Sequence, residues 1–425
     1  MNHDAGHSML PKLIKVGSNC YRKVGCESNG LIEDLTIRMD SNGYRNSKPK
    51  FVQNNNQEKY LMADLEQEDF ISDSVADDDR DFCQKLNRDE VLKEDKNFCR
   101  LKMHLCKSFH GKVIGCNGKN LFNLESDTHC KIKLPLKKDQ SNFIEIQSFS
   151  KKNVIAAYER IKEIEKYLRS RQQFTHFVSI PISKYLLIKS RFLEFKSSIL
   201  SDPKLSTVKN IDESVFQHEN RLHLTVQILY LGDSYDRETL NIRFKEFDRT
   251  FLRPFIESIQ KPIRLQFKGI DIMNDDPSQT HVLYAKCFEI EQNNHFKQIV
   301  NKLYEWTMGT GLDCYRQQFE SSNSDYKIKL HMTLMNSRYR GRNQENFDGN
   351  FRDDEIDDLI RQKNDANKEV ENNSKQKNDP MDVEEILKRF GDFDFGTIEI
   401  NEIQIATRQN YDVDGSYRTL SRISW

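Results

Sequence analysis

Two near-identical tripeptides, His223-Leu224-Thr225 and His331-Met332-Thr333, stand 108 residues apart, each inside a strand-like alternation. In the first, Leu222, Leu224, Val226 and Ile228 turn one way, and His223, Thr225 and Gln227 the other. In the second, Ile328, Leu330, Met332 and Leu334 form the apolar set, while His331 and Thr333 are presented. A chain with two such strands must bury both apolar faces. Placed side by side, the strands aim two imidazoles and two hydroxyls at one small volume.

That grouping suits phosphodiester chemistry with no metal and no cofactor. A neutral imidazole removes a proton from an attacking water or hydroxyl, and a protonated one supplies a proton to the leaving oxygen. Histidine's ordinary pKa lies close enough to neutrality for both tasks. The threonine hydroxyls would donate to non-bridging phosphate oxygens as charge develops there. A single His-x-Thr on a strand is a common accident. Two copies, each on the polar face of an alternating strand, make His223, Thr225, His331 and Thr333 the candidate catalytic set. Which histidine is acid and which is base depends on substrate polarity and stays open.

Charge is strongly segregated although the chain carries a formal net charge of only −1. Residues 62–96 hold thirteen Asp and Glu against five Lys and Arg, whereas residues 98–171 hold sixteen basic against seven acidic side chains. An acidic, solvated linker thus precedes a basic module, and a surplus so concentrated favours a polyanionic partner such as nucleic acid. Inside that module, Val113-Ile114-Gly115-Cys116-Asn117-Gly118-Lys119 reads as an element end and a tight turn, then a helix through Leu121, Phe122 and Leu124. Strands over 130–134 and 142–147 follow, then a helix over 151–169 whose apolar stripe is Val154, Tyr158, Ile161, Ile164 and Leu168.

Two helices joined by Ile-Gly-x-x-Gly and followed by two strands and a helix resemble a type I KH domain. The resemblance implies that the loop meets a sugar-phosphate backbone through Gly115, Cys116, Asn117 and Gly118, with Lys112 and Lys119 at its flanks. The two middle positions, commonly basic in KH loops, are Cys116 and Asn117 here, so the flanking lysines would supply the charge. A KH fold kept for packing, with weak nucleic-acid affinity, is the alternative.

The paired His-x-Thr strands resemble the two-histidine phosphoesterases, the superfamily of bacterial 2′-5′ RNA ligase-like proteins, cyclic phosphodiesterases and 2′-5′ oligoadenylate-degrading enzymes. Thr175-His176-Phe177-Val178-Ser179-Ile180, Met273-Asn274-Asp275-Asp276-Pro277, Val282-Leu283-Tyr284-Ala285-Lys286 and His331-Met332-Thr333-Leu334-Met335-Asn336 narrow the resemblance. They point to the branch in which such a domain follows a KH module within a subunit of a nuclear transcription cointegrator and nucleic-acid alkylation-repair assembly. What this implies is an RNA-binding protein with a metal-independent phosphodiesterase-type domain. Its partners would be RNA, with single-stranded DNA as the other polyanion, and the helicase, zinc-finger coactivator and CUE-domain subunits of that assembly. A non-enzymatic RNA-end reader, or a scaffold subunit of the same assembly, is the alternative. The nucleus is the expected location, with the cytoplasm as a further one.

The expected fold class is therefore α+β: a KH domain over 98–171, then a bilobal phosphoesterase domain over 173–425 with pseudo-symmetric antiparallel sheets and flanking helices. Strands are expected at 174–180, 263–267, 281–288 and 397–405, and helices at 184–200, 237–260 and 292–308. Phe177 and Tyr284 are candidates for lining the groove or stacking on a base, with core packing as the alternative. A polar insertion over about 340–380, with a short helix at 356–361, interrupts the second domain. Residues 1–97 read as a largely disordered tail with an apolar-basic island at 11–24, suited to docking by strand addition or by folding on binding. A mean hydropathy of −0.77 fits a chain that is partly unfolded. No apolar run approaches membrane-spanning length, no signal-peptide core is visible at Met1-Asn2-His3-Asp4-Ala5, and no membrane partner is expected. The nine cysteines form no C-x-x-C pair, which favours reduced thiols over a zinc site.

Overall fold

The computed structural model describes the strand residues 12–16 and 19–23, then 86, 90–95, 98–136, 138–139, 141–205, 208, 210–259, 262–291, 293–313, 328–340 and 379–425. The expected insertion beyond residue 340, its short helix and most of the expected tail lie outside those residues. In the island at 11–24, β1 (Lys12–Val16) and β2 (Asn19–Lys23) pair antiparallel. The chain divides into two units, residues 45–172 and a larger one joining 173–425 to 1–44. Among the described residues no helix is long and apolar enough to cross a membrane.

The smaller unit runs β3 (Val91–Asp95), β4 (Phe98–His104), α1 (Lys107–Ile114), α2 (Lys119–Thr128), β5 (Lys131–Lys133), β6 (Phe143–Ser148) and α3 (Lys151–Ser170). Its antiparallel sheet has the order β3-β4-β6-β5. Leu101, Met103, Ile132, Ile144 and Ile146 bury one face of it, and Phe109, Val113, Leu124, Val154, Ala157 and Ile161 from the helices are buried with them. Two expectations are corrected here. Strand β3 lies inside the segment read as a linker, where acidic composition masked a strand; just ahead of it Glu90 is buried, receiving hydrogen bonds from Tyr158 Oη (2.9 Å) and His104 N (3.3 Å) and pairing with Lys162 (3.0 Å). The stripe of α3 also changes character along its length: Ile164 and Leu168 are half-buried, while Glu165 and Arg169 are buried as an ion pair at 2.6 Å. Such a pair offsets its desolvation only because each charge is answered, and here Lys162 and Arg169 hold the Glu165 carboxyl below the ordinary carboxylate range against the opposing effect of burial.

The larger unit is organised by one eight-stranded sheet. In chain order it runs β7 (His176–Pro181), α4 (Leu186–Ser201), β8 (His223–Leu229), α5 (Ser234–Phe247), α6 (Arg253–Ser258), β9 (Arg264–Ile272), β10 (Val282–Glu289), α7 (His295–Gly309), β11 (Met332–Asn336), α8 (Glu384–Phe390), β12 (Asp394–Glu399), β13 (Glu402–Tyr411) and β14 (Tyr417–Ser424). The sheet order β12-β9-β10-β11-β8-β7-β13-β14 puts the two motif strands at the centre, with three strands outside each. Helices α4, α5, α7 and α8 contact β12, β14, β8 and β9. Their apolar stripes join Leu222, Leu224, Met332 and Leu334 in one hydrophobic cluster, so the helices cover the face opposite the histidines.

Two details depart from the sequence expectation. The helix expected over 237–260 is interrupted by a π turn at Asp248–Leu252, directly before Pro254, whose missing N–H and ring prevent an ordinary continuation. The single strand expected over 397–405 is two strands on opposite sides of the sheet: β12 pairs with β9, and after Ile400-Asn401 the chain crosses to pair β13 with β7.

Candidate functional site

The seam between the two halves is the β8–β11 pair, in which Met332 lies across from Leu224 in antiparallel register. Counting outward from that pair, His331 faces Thr225 and Thr333 faces His223. Leu224 and Met332 are fully buried beneath, and all four polar side chains stand half-buried on the face the helices leave open. The two histidines occupy opposite corners of a rectangle and the two threonines the other corners. Such diagonal neighbours are about 7 Å apart. That leaves room for a phosphate group between the imidazoles.

Both imidazoles are held the same way. His223 Nδ1 lies 2.7 Å from the Arg221 carbonyl and His331 Nδ1 lies 3.0 Å from the Lys329 carbonyl. A carbonyl only accepts, so Nδ1 carries the proton in each ring and the lone pair of neutral Nε2 is left for the groove. Burial lowers the pKa of His223, opposed by the Arg221 carbonyl. Burial also pushes His331 down to about 4, against its own carbonyl contact and with the positive influence of His223 and Lys329 added. Both rings are therefore neutral near pH 7. The Thr225 and Thr333 hydroxyls make no side-chain hydrogen bond among the described residues and remain available as donors.

Each motif is followed at once by a bulge. Ser179 pairs with Thr225 and Val178 with Gln227, which leaves Val226 over. Tyr284 pairs with Thr333 and Leu283 with Met335, which leaves Leu334 over. The bulges reverse the alternation beyond the motifs. Gln227, expected beside His223 and Thr225, is instead fully buried on the helix side, donating from Nε2 to Met308 Sδ (3.3 Å) on α7. Ile228, expected in the core, is half-buried, and Leu229 takes its place there.

Phe177 and Tyr284 are both buried, and each packs on one imidazole: Phe177 on His223 (centroids 4.9 Å) and Tyr284 on His331 (5.4 Å). They back the histidines and are closed to a stacking base. Sequence reasoning missed Tyr417, which packs edge-on against both His223 (5.4 Å) and Phe177 (5.0 Å). Burial drives its phenol pKa far up. Beside it, Gln217 donates to Tyr339 Oη at 2.9 Å, and the Arg221 guanidinium lies 3.5 Å over the Tyr411 ring. The alternation of Tyr417-Arg418-Thr419-Leu420 could have signalled the strand, but nothing local could have placed it beside His223.

In the smaller unit, Gly115, Asn117 and Gly118 all adopt left-handed φ (73°, 53° and 76°), so the chain turns sharply between α1 and α2. A Cβ on Gly115 would collide with the Asn120 side chain, whose amide donates to the Lys112 carbonyl (3.1 Å) at the end of α1. Asn120 is thus a loop residue the sequence did not single out. Cys116, Asn117, Lys112 and Lys119 are exposed around this turn.

The fold and its paired motifs define the class, a two-histidine phosphoesterase fold behind a KH domain. The chain belongs to the AKAP7 2′5′ RNA ligase-like domain family, whose model matches residues 174–425; the KH domain model matches residues 100–163. A mouse protein, activating signal cointegrator 1 complex subunit 1, is 28% identical over 400 residues, covering 93% of this chain and 99% of the relative. The first type I KH domain of human vigilin is similar at 25% identity over 24% of this chain and 96% of its own, with a TM-score of 0.18. LigT of E. coli is similar at 13% identity over 60% of this chain and 98% of its own, with a TM-score of 0.29.

Proposed function

We propose that the larger unit cleaves RNA phosphodiester bonds without a metal, with His223 and His331 as the acid/base pair and Thr225 and Thr333 as phosphate donors. The observation that carries this reading is the diagonal arrangement on β8 and β11, with both Nε2 atoms and both hydroxyls making no hydrogen bond among the described residues. Diagonal imidazoles fit an in-line displacement, in which the attacking and leaving oxygens lie on opposite sides of phosphorus. One Nε2 takes the proton of the attacking water or hydroxyl as the new P–O bond forms. The other gives its proton to the leaving oxygen as the old P–O bond breaks. The negative phosphodiester itself supplies the charge that favours protonating one imidazole, against the opposing effect of burial. The threonine hydroxyls stabilise charge growing on the non-bridging oxygens.

The KH loop would hold a single strand through its exposed backbone and the Lys112 and Lys119 ammonium groups. We further propose that the chain works in the nucleus within the activating signal cointegrator 1 complex and its alkylation-repair role, beside helicase, zinc-finger coactivator and CUE-domain subunits. The relative bearing that complex's name aligns over 99% of its own length, which supports this placement.

The test is turnover of short RNAs carrying 2′,3′-cyclic phosphate, 3′-5′ or 2′-5′ linkages in EDTA. Chelator-resistant cleavage lost on combining His223→Ala with His331→Ala is expected. RNA binding that those substitutions weaken, with no turnover of any substrate, would make the groove a reader of RNA ends.

A further inference from the structure

The helix-free face of the smaller unit's sheet is built unlike an ordinary solvated face. On β4, Phe98, Arg100 and Lys102 alternate outward while Cys99, Leu101 and Met103 are buried. Register carries the pattern sideways. Lys93 on β3 lies across from Arg100, Arg100 across from Gln147 on β6, and Gln147 across from Lys131 on β5. One row of the sheet therefore carries three cations over four strands, about 14 Å at ordinary strand spacing. In the next row Lys102 and Lys133 flank Glu145. Five lysines and arginines share this face; Lys131 is paired with Glu125 at 2.9 Å, which leaves Lys93, Arg100, Lys102 and Lys133 as the core of the band.

Aromatic rings stand at both ends of this basic band. At one end Phe149 is 81% exposed and meets Phe98 edge-on at 5.3 Å, with the Arg100 guanidinium 5.1 Å over the Phe98 ring. At the other end the Lys102 ammonium lies 4.3 Å over Phe143. Arg100 and Lys102 seated against these rings hold cations and aromatic faces side by side along the band.

We propose that this sheet face is a second single-stranded RNA surface, separate from the Gly115–Gly118 turn: bases stack on Phe149, Phe98 and Phe143, and phosphates track the Arg100–Lys102 band. Charge complementarity selects the ligand, because a polyanion with flat bases satisfies both halves of the pattern, whereas an apolar protein surface would leave the cations unanswered. This inference rests on the proposed RNA reading of the turn, which in a KH domain grips about four nucleotides. The sheet face then extends the footprint, and binding should strengthen with RNA length beyond that size.

The experiment is fluorescence anisotropy of the full-length protein with labelled oligouridine of about 4 and about 16 nucleotides over a salt series. Three variants are compared with wild type: Arg100→Glu with Lys102→Glu, Phe149→Ala alone, and Cys116→Asp with Asn117→Asp in the turn. The expected result is that the turn variant weakens both oligomers. Both sheet variants should spare the short oligomer, with Phe149→Ala weakening the long one about tenfold. The charge variant should flatten its log affinity against log salt by about 1.4, at about 0.7 per lost phosphate contact. Phe149 is too exposed for its loss to unfold the domain, so that variant guards against a misfolded charge reversal. Unchanged long-oligomer affinity in both sheet variants, with the turn variant weakened, overturns the sheet proposal alone. Wild-type protein binding neither oligomer overturns it together with the RNA reading of the turn.

Discussion

The two halves of the phosphoesterase sheet repeat one device and surround it differently. In each half a His-x-Thr strand anchors its imidazole through Nδ1 to the carbonyl two residues back, backs it with a buried aromatic ring and bulges immediately after the threonine. Around His223 the neighbours are Phe177 and Tyr417, with Arg221 drawn away onto Tyr411. Around His331 they are Tyr284 and Lys329, the lysine adding a positive charge to the cost of burial. Backbone geometry is duplicated in the two halves, while the charge around each imidazole differs; on the proposed chemistry that difference would separate acid from base.

The largest effect separating these halves from an accidental resemblance is expected at the imidazoles. His223→Asn and His331→Asn should each lower turnover by about 10²–10⁴ while leaving RNA affinity nearly intact, checked by single-turnover cleavage beside anisotropy. A loss at only one of them would break the equivalence. Thr225→Val and Thr333→Val come next, with about 10²-fold slower turnover each and little change in KM, because the hydroxyls act where charge develops.

Acid stability sharpens the comparison further. Burial pushes His331 to about 4, and His176, buried near the Arg237 charge, to about 3. Each folded pKa lies below the unfolded value of about 6.5, so between the two values the unfolded chain binds more protons. Stability is therefore complete above about pH 6.5 and declines as pH falls through that window. Urea midpoints measured from about pH 7 to about pH 4 should fall less steeply in His331→Asn than in wild type. The smallest effects belong to the backing rings. Phe177→Leu and Tyr284→Leu should each cost about 1 kcal/mol of stability, read from denaturant melts, with Phe177→Leu the larger because that ring also meets Tyr417.

Much of this was legible in the alternation. Leu224 and Met332 announced their buried face, and with them the face carrying His223, Thr225, His331 and Thr333. The bulges were not legible, because Val226 and Leu334 are apolar and continue the pattern they interrupt in space. The break between β12 and β13 was hidden in the same way: Ile400-Asn401 carries neither glycine nor proline, so nothing local marks the crossing. Strand β3 and the Glu165–Arg169 pair were missed because charge normally signals solvent; Glu90 is answered by Lys162 from a distant segment, and Glu165 by Lys162 and Arg169 one turn away on its own helix. Tyr417 reaches His223 through pairing of β13 with both β7 and β14, a relation of distant segments that no local pattern encodes.

The most direct test of the central claim, that the two motifs form one acid/base centre, is a double-mutant cycle on metal-free RNA cleavage with His223→Ala, His331→Ala and both together. One centre predicts that the double variant is no slower than the slower single variant, since removing either proton carrier already disables the reaction. Losses that multiply, or a single variant that retains wild-type turnover, would contradict it.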